Sequence, residues 1–548
     1  MRIRSGRRLT VSLMGVALWA VGCGSDEGPN VAGADAAGGV AASAAGGLGG
    51  APGKGGAANP GSGGGVGEGV GGGAVDGTPN GGGGGSLNSL GGTSQAGSGG
   101  DTSTASGGSE SVGGSTTGVG GMAAGGAASG GQGGSTGGLP GTGGLWRGPT
   151  PPSDTASFPF PQNRESANCV YPTAYDNNDV LAVYEQWKAD LVTSNGADGF
   201  RRVTRPSEPG LAPDSTVSEG IAYGMIISVY MDDQALFDDL WNYALLHRWT
   251  YVPYPDDGTS ETTLLMNWYI FGDGSLGADP AGDGAAVDAD EDMAWALVMA
   301  DRQWGGQGSL ERPYLDDAQE LIDDIWTYEI MDGQLPKNGS NWGDWNNLNI
   351  SYFAPAFYRV FARVSGNSAW SGAVVDCVYS VIDGNLTAEN GNQSNGLVPA
   401  FSTSNGTAAV VAPGSGPLAF TYQYDSCRTP FRIGLDACFF GEPRAASYVA
   451  KTSQFFSGIG AANIVDGYQL DGTLNPQYPD SYQGLSAAFI GPAGVGAMHS
   501  SQYQAFVDDV YALVRQNNMW AGGQYYDESW TMLTLLMMTG NFLDYTQY

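Results

Sequence analysis

Apolar positions recur at steps of three and four from about residue 153 onward, and no such period runs through residues 24–152. In the C-terminal part the pattern predicts about eleven helices: Asn178–Val192, Val217–Met231, Gln234–His247, Asp288–Gln303, Pro313–Tyr328, Tyr352–Val364, Ser371–Ile382, Asp425–Phe439, Ala445–Phe456, Gln502–Asn517 and Ser529–Thr539. Strand-type alternation is scarce. The connections are rich in Gly, Pro, Asn and Asp, and several are long, which is where binding and catalytic side chains concentrate. Residues 153–548 are therefore read as one large all-α domain. Paired helices in this number suggest a closed ring of helical hairpins, with a site where the loops converge.

The N-terminal third is of another kind. Residues 24–152 are dominated by Gly, Ala, Ser and Thr, with runs such as GGGGGS and GGQGGSTGG. With no apolar face to offset chain entropy, this stretch is expected to be a disordered linker. At roughly 5–6 Å × √n, about 125 such residues span near 60 Å. Residues 1–23 read as an export signal: Arg2, Arg4, Arg7 and Arg8 precede an apolar run, Leu9 to Gly22, too short to cross a bilayer comfortably. The run ends Ala20-Val21-Gly22-Cys23, similar to a bacterial lipobox except for Ala20, where Leu is usual. Lipidation at Cys23 and residence at an outer membrane or cell surface are expected, with plain secretion as the alternative.

Charge narrows the ligand. The formal net charge is -33, and residues 1–150 hold only six basic and seven acidic residues, so the remainder has 16 basic and 48 acidic. Such a surface repels nucleic acid and anionic headgroups and suits a neutral or cationic ligand. Two histidines, His247 and His499, cannot build a His-based metal centre, so carboxylates are the expected proton carriers. There is no C-x-x-C spacing, and Cys169, Cys377, Cys427 and Cys438 permit up to two disulfides in three connectivities. Cys427–Cys438 is the least favoured pairing, because eleven residues along one helix rise about 16 Å.

Three stretches hold candidate chemistry. Ala285–Trp304 opens with Asp288, Asp290, Glu291 and Asp292, then turns apolar at Met293, Ala296, Leu297, Ala300 and Trp304. Asp288-x-x-Glu291 also reads as a capping pair. A calcium loop fails, because Met293 stands where Gly is needed and Met299 where Glu is needed. In Thr216–Asp233, Thr216-x-x-Glu219 has the form of a capping box. Yet the apolar face of Ile221, Met225, Ile226 and Val229 follows at once, which would desolvate Glu219 and raise its pKa into the range of a usable acid. In Thr421–Gly441, Asp425 reads either as an N-cap or as a general base kept ionised and oriented by Arg428 and Arg432.

Taken together these segments resemble glycoside hydrolase family eight. The resemblance rests on Ala286-Val287-Asp288-Ala289-Asp290-Glu291-Asp292-Met293-Ala294 with Ala300 and Trp304, on Ser218-Glu219-Gly220-x-Ala222-Tyr223-Gly224, and on Tyr424-Asp425-x-x-Arg428. Val287 departs from the family's Ser or Thr. The resemblance covers residues 155–548 and implies an (α/α)6 barrel with an inverting mechanism. It implies Glu219 as proton donor, Asp425 as the base that activates water, and Asp288 as the group that holds a distorted sugar. Asp290, Glu291 and Asp292 are left with helix-start and loop-ordering duties. It further implies substrate contacts at Trp268, Trp342, Tyr352, Tyr424, Arg428 and Tyr526, although Asn341 stands where the family often has Arg. No metal or cofactor is implied, and a monomer is expected. The DADEDMA form is similar to the glucanase group, so endo-acting hydrolysis of β-1,4 bonds in cellulose or mixed-linkage β-glucan is the expected activity. Chitosan or xylan hydrolysis within the same family is the alternative, and a non-catalytic carbohydrate-binding surface lipoprotein is the further one.

Overall fold

The computed structural model describes residues 156–206, 211–278, 280–409, 419–475, 485–516, 519 and 523–548; the predicted signal, the linker and Cys23 lie outside them. Twelve α-helices occur among the described residues. They are α1 Asn177–Leu191, α2 Ser218–Tyr230, α3 Gln234–Leu246, α4 Val287–Gln303, α5 Tyr314–Tyr328, α6 Pro355–Ser365, α7 Val375–Asn385, α8 Thr429–Phe440, α9 Pro443–Ile459, α10 Ala487–Ala497, α11 Gln504–Val514 and α12 Tyr525–Met538. The even-numbered helices form an inner ring, in which α2 contacts α4, α4 contacts α6, and so on until α12 returns to α2. The odd-numbered helices lie outside: α1 packs on α12, α3 on α2, α5 on α4, α7 on α6, α9 on α8 and α11 on α10. This is an (α/α)6 barrel.

Burial follows the two rings. Every residue of α2, α10 and α12 is buried, because an inner helix has neighbours on all sides. Outer helices bury one stripe; α5 buries Tyr314, Leu315, Asp317, Ala318, Leu321, Ile322 and Ile325 and leaves its other face to solvent. Stripes of that kind are what helical periodicity detects. Helix α10 escapes the sequence reading because AAFIGPAGVGA has no polar face and contains Pro492. Its glycines admit close neighbours. A Cβ at Gly491 would stand 2.1 Å from Thr534 Oγ1, and one at Gly494 would stand 2.4 Å from Val510 Cγ1.

Strands are confined to two-stranded antiparallel ladders. β1 Val192–Thr193 pairs β2 Arg202–Val203, and β3 Thr216–Val217 pairs β6 Tyr269–Ile270. β4 Arg248–Tyr251 pairs β5 Glu261–Met266, β7 Ile330–Met331 pairs β8 Leu335–Pro336, and β9 Leu348–Asn349 pairs β10 Phe401–Ser402. Cys169 and Cys438 form a disulfide that ties the N-terminal segment to α8, while Cys427 is a buried free thiol; the disfavoured Cys427–Cys438 pairing is not formed.

Candidate active site

Three inner helices bring the three predicted carboxylates onto one cation. Glu219 is the second residue of α2, Asp288 the second of α4, and Asp425 lies in the turn just before α8. Arg428 Nη1 donates to Glu219 Oε2 at 2.5 Å and to Asp288 Oδ2 at 2.8 Å. Its Nη2 stands 3.7 Å from Asp425 Oδ1, its Nε donates to Ser351 Oγ at 3.0 Å, and its plane lies over the Tyr352 ring with the centroid 4.8 Å away. The guanidinium is a rigid fork that can meet several oxygens at fixed angles, which an ammonium cannot.

One cation faces three buried carboxylates, and desolvation is the leading influence on Glu219 and Asp425. Burial chiefly raises the Glu219 carboxyl from 4.5 to about 7; Arg428 pulls it down, Asp288 pushes it up, and the hydrogen bond from Tyr525 pulls it down again. Burial also raises Asp425, against Arg428 and against hydrogen bonds from Gln423 and Asn349. Arg428 lies nearer the other two acids, so at Asp425 desolvation outweighs its pull. Gln423 Nε2 donates to Asp425 Oδ2 at 3.2 Å, Asn349 Nδ2 donates to Oδ1 at 3.4 Å, and the Asp425 N–H donates to Gln423 Oε1 at 3.0 Å.

The capping boxes do not form. Val217 and Ala286 occupy the N-cap positions of α2 and α4, and neither helix has a side-chain cap. The Thr216 hydroxyl donates instead to Val203 O at 2.8 Å and accepts from Arg202 Nη1 at 2.7 Å. Backbone pairing sets both helix starts: Ser218 N–H donates to Trp268 O at 2.9 Å, and Val287 N–H to Asn338 O at 3.1 Å. The acids one residue further on are thereby free to face the ring interior. Nor does Asp425 cap α8, whose N-cap is Arg428.

The other acids in the first turns of α4, Asp290, Glu291 and Asp292, are buried and individually partnered. Asp290 Oδ1 accepts the Met266 N–H at 3.1 Å, Glu291 Oε1 accepts the Tyr358 hydroxyl at 2.8 Å, and Asp292 is gripped by both terminal nitrogens of Arg432. Burial raises all three carboxyls. They brace the barrel interior, a wider duty than starting a helix.

Tyr525, absent from the sequence reading, donates its hydroxyl to Glu219 Oε1 at 2.5 Å. Its neighbour Tyr526 is the one the family resemblance implies as a substrate contact. Tyr526 instead points a hydroxyl at Tyr424 O, 3.4 Å away, and packs its ring 5.9 Å from that of Tyr424. One residue on a helix turns the side chain by about 100°, and adjacent tyrosines give no sequence signal for choosing between them. Gln423, Asn349 and Ser351 also went unread, since uncharged loop residues carry no spacing signature.

The expected subsite aromatics fall into two groups. Trp342 is half-buried and keeps part of its ring open. Trp268, Tyr352, Tyr424 and Tyr526 are 2–6% exposed, so only small edges of them reach solvent. Trp268 Nε1 donates to Ala281 O at 2.9 Å and Tyr424 Oη to Asp466 Oδ2 at 3.1 Å, which fixes their rings. Arg428 is 1% exposed and faces the carboxylates, so the geometry makes it an organiser of the acids and not an open contact for sugar.

Residues 158–540 match the profile described as glycosyl hydrolases family 8. The chain belongs to that family. Two similar family 8 relatives are Endoglucanase A of Acetivibrio thermocellus, 35% identical over 66% of this chain and 69% of its own, and Endoglucanase C of Ruminiclostridium cellulolyticum, 35% identical over 70% and 77%. Among solved structures, the apo β-1,3-1,4-glucanase from Paenibacillus sp. X4 superposes with a TM-score of 0.60 at 28% identity, covering 70% of this chain and 99% of its own.

Proposed function

We propose that this family 8 enzyme hydrolyses β-1,4-glycosidic bonds within cellulose or mixed-linkage β-glucan, with inversion at the anomeric carbon. The observation that carries the reading is the single guanidinium joining Glu219, Asp288 and Asp425. Glu219 has the most exposed side chain of the three, 11% against 3% and 3%, and a pKa of about 7 leaves it protonated on the acid side of neutrality. It gives its proton to the departing glycosidic oxygen as the C1–O bond breaks. Asp425 takes a proton from the water whose oxygen bonds to C1, and Asp288 holds the distorted sugar between them. Adding the width of the guanidinium, roughly 2.3 Å, to the two Arg428 contacts of 2.5 and 3.7 Å places the Glu219 and Asp425 carboxyls within about 9 Å of each other. That upper limit overlaps the roughly 6.5–9.5 Å of an inverting pair and also admits the roughly 5–5.5 Å of a retaining one, so the anomer formed decides between them.

The glucan preference is supported by the endoglucanase and β-glucanase relatives; relatives named as xylose-releasing exo-oligoxylanases are more distant. The acid excess of the domain favours cationic chitosan as the second reading. The test is release of reducing ends from carboxymethylcellulose, barley β-glucan, xylan and chitosan by the full chain. Cleavage of the first two above the others supports the reading, and none from any polymer would leave a binding protein. The proposal extends to location: export through residues 1–23, lipid attachment at Cys23, and a linker that lifts the barrel from the membrane. Incorporation of labelled palmitate that is lost in Cys23→Ser would support this, and a label-free wild type would overturn it.

A further inference from the structure

Four of the eight large apolar side chains that stand well exposed among the described residues lie between Leu246 and Tyr254. They are Leu246, Tyr251, Val252 and Tyr254, the last 97% exposed. Concentration of this kind marks a contact surface, whereas single exposed apolar residues do not. Leu246 ends α3, before the inner end of β4, and the other three lie at the outer end of the β4–β5 hairpin. There Trp249, Tyr251 and Tyr328, the last residue of α5, meet at tilted and edge-on angles in one cluster, with ring centroids 5.1 Å apart for Tyr251–Tyr328 and 5.6 Å for Trp249–Tyr328. The Tyr328 hydroxyl donates to Glu261 Oε2 at 2.9 Å, which fixes its ring under Tyr251. Glu261 pairs with Tyr251 and shares its face, while Thr250 and Thr262, their hydroxyls 3.3 Å apart, pair on the opposite face.

The geometry points to a second glucan-binding platform on this hairpin, away from the carboxylates. The exposed rings of Tyr251 and Tyr254, with the Glu261 carboxylate on the Tyr251 face, offer a pyranose both a face for its C–H groups and a partner for its hydroxyls. Asp256, Asp257 and Glu261 around the rings disfavour an anionic ligand, and a neutral polysaccharide carries no charge to repel. The hairpin is continuous with the site. The inner end of β5, Met266, donates its N–H to Asp290 of α4 at 3.1 Å, and Trp268 follows two residues later. Tyr251 pairs with Glu261, seven residues before Trp268. At about 3.4 Å per residue the platform stands up to about 24 Å from Trp268. A polymer can reach both places and a short oligosaccharide cannot. The inference rests on the glucanase reading and adds to it a contact used only by long chains.

The test uses the full chain with Tyr251→Ala/Tyr254→Ala and, as a ring-preserving control, Tyr251→Phe/Tyr254→Phe. Retardation in native gels containing barley β-glucan reads affinity for polymer, and kinetics on a short cello-oligosaccharide read the carboxylate site. The Ala pair should bind polymer about tenfold more weakly, with an equally raised KM on it, and should cleave the oligosaccharide as the wild type does. The Phe pair should bind within about twofold of wild type. Unchanged retardation of the Ala pair, an equal loss on polymer and oligosaccharide, or a changed sedimentation coefficient in place of changed retardation would overturn the platform. Failure of the glucanase reading looks different: the wild type would leave β-glucan uncut and cut xylan or chitosan.

Discussion

Replacing Glu219 by Gln removes one titration and nearly preserves shape. In the folded chain, burial lifts this carboxyl from 4.5 to about 7 against the pull of Arg428 and Tyr525. A carboxyl raised on folding holds its proton more tightly folded than unfolded. Its contribution to stability is therefore full below about pH 4.5 and is lost as pH rises through about 7. The whole shift corresponds to about 3 kcal/mol at roughly 1.4 kcal/mol per unit. Between about pH 5 and pH 8 about 2–3 kcal/mol of it disappears. For a barrel of about 390 residues, at about 2.1 cal/mol/K each, that is a fall in Tm of about 3 °C. Calorimetry of both full-length proteins at those two pH values isolates this term, because every other titrating group is shared. The wild type should lose about 3 °C more than Glu219→Gln on going from acid to alkaline conditions. Activity follows the same group: kcat/KM of the wild type should fall above about pH 7, and the variant should keep only about 10⁻²–10⁻⁴ of the turnover. Equal falls in Tm for the two proteins, or an alkaline limb below about pH 5, would refute the reasoning.

Other perturbations bear on the same frame. Arg428→Lys supplies a cation that cannot serve Glu219, Asp288, Asp425 and Ser351 together, so kcat/KM should fall about a hundredfold; a loss under threefold would show that the fork is dispensable. Tyr525→Phe removes a hydrogen bond that lowers the Glu219 pKa, so the alkaline limb of kcat/KM should move upward; a downward shift would contradict this. Asp292→Ala leaves Arg432 buried without its fork partner and should cost about 3–5 kcal/mol in urea denaturation. Asp376→Ala, which breaks the exposed pair with Arg444, should cost less than about 1 kcal/mol.

What could be read from the chain followed from how many faces each element shows to solvent. Outer helices such as α5 alternate polar and apolar positions and were legible almost to the residue. Inner helices α2 and α4 were legible because acids mark their first turns, whereas α10, apolar throughout and holding a proline, was not. Among site residues, Glu219, Asp288 and Asp425 stood out as acids next to apolar runs. The capping pairs suggested by Thr216 and Asp288 were misleading, since short strand contacts start both helices without a side chain. Gln423 is a sequence neighbour of Asp425 but an uncharged one, whereas Tyr525 and Asn349 reach the carboxylates only through the folding of the barrel, which brings together parts of the chain as far apart as α2 and α12. No local pattern encodes that contact. The burial of Asp290, Glu291 and Asp292 was hidden for the same reason: acids in a first helical turn usually face water, and here three further helices surround them.

The central claim is that Glu219 and Asp425 act on opposite faces of one sugar, with a water between Asp425 and the anomeric carbon. The most direct test is proton NMR of barley β-glucan during the first minutes of cleavage by the full chain, before the new reducing ends mutarotate. The account predicts that the α-anomer appears first and the β-anomer grows in afterwards. A β-anomer formed first would contradict it, because retention needs a nucleophilic carboxylate about 5–5.5 Å from the acid and a covalent glycosyl-enzyme.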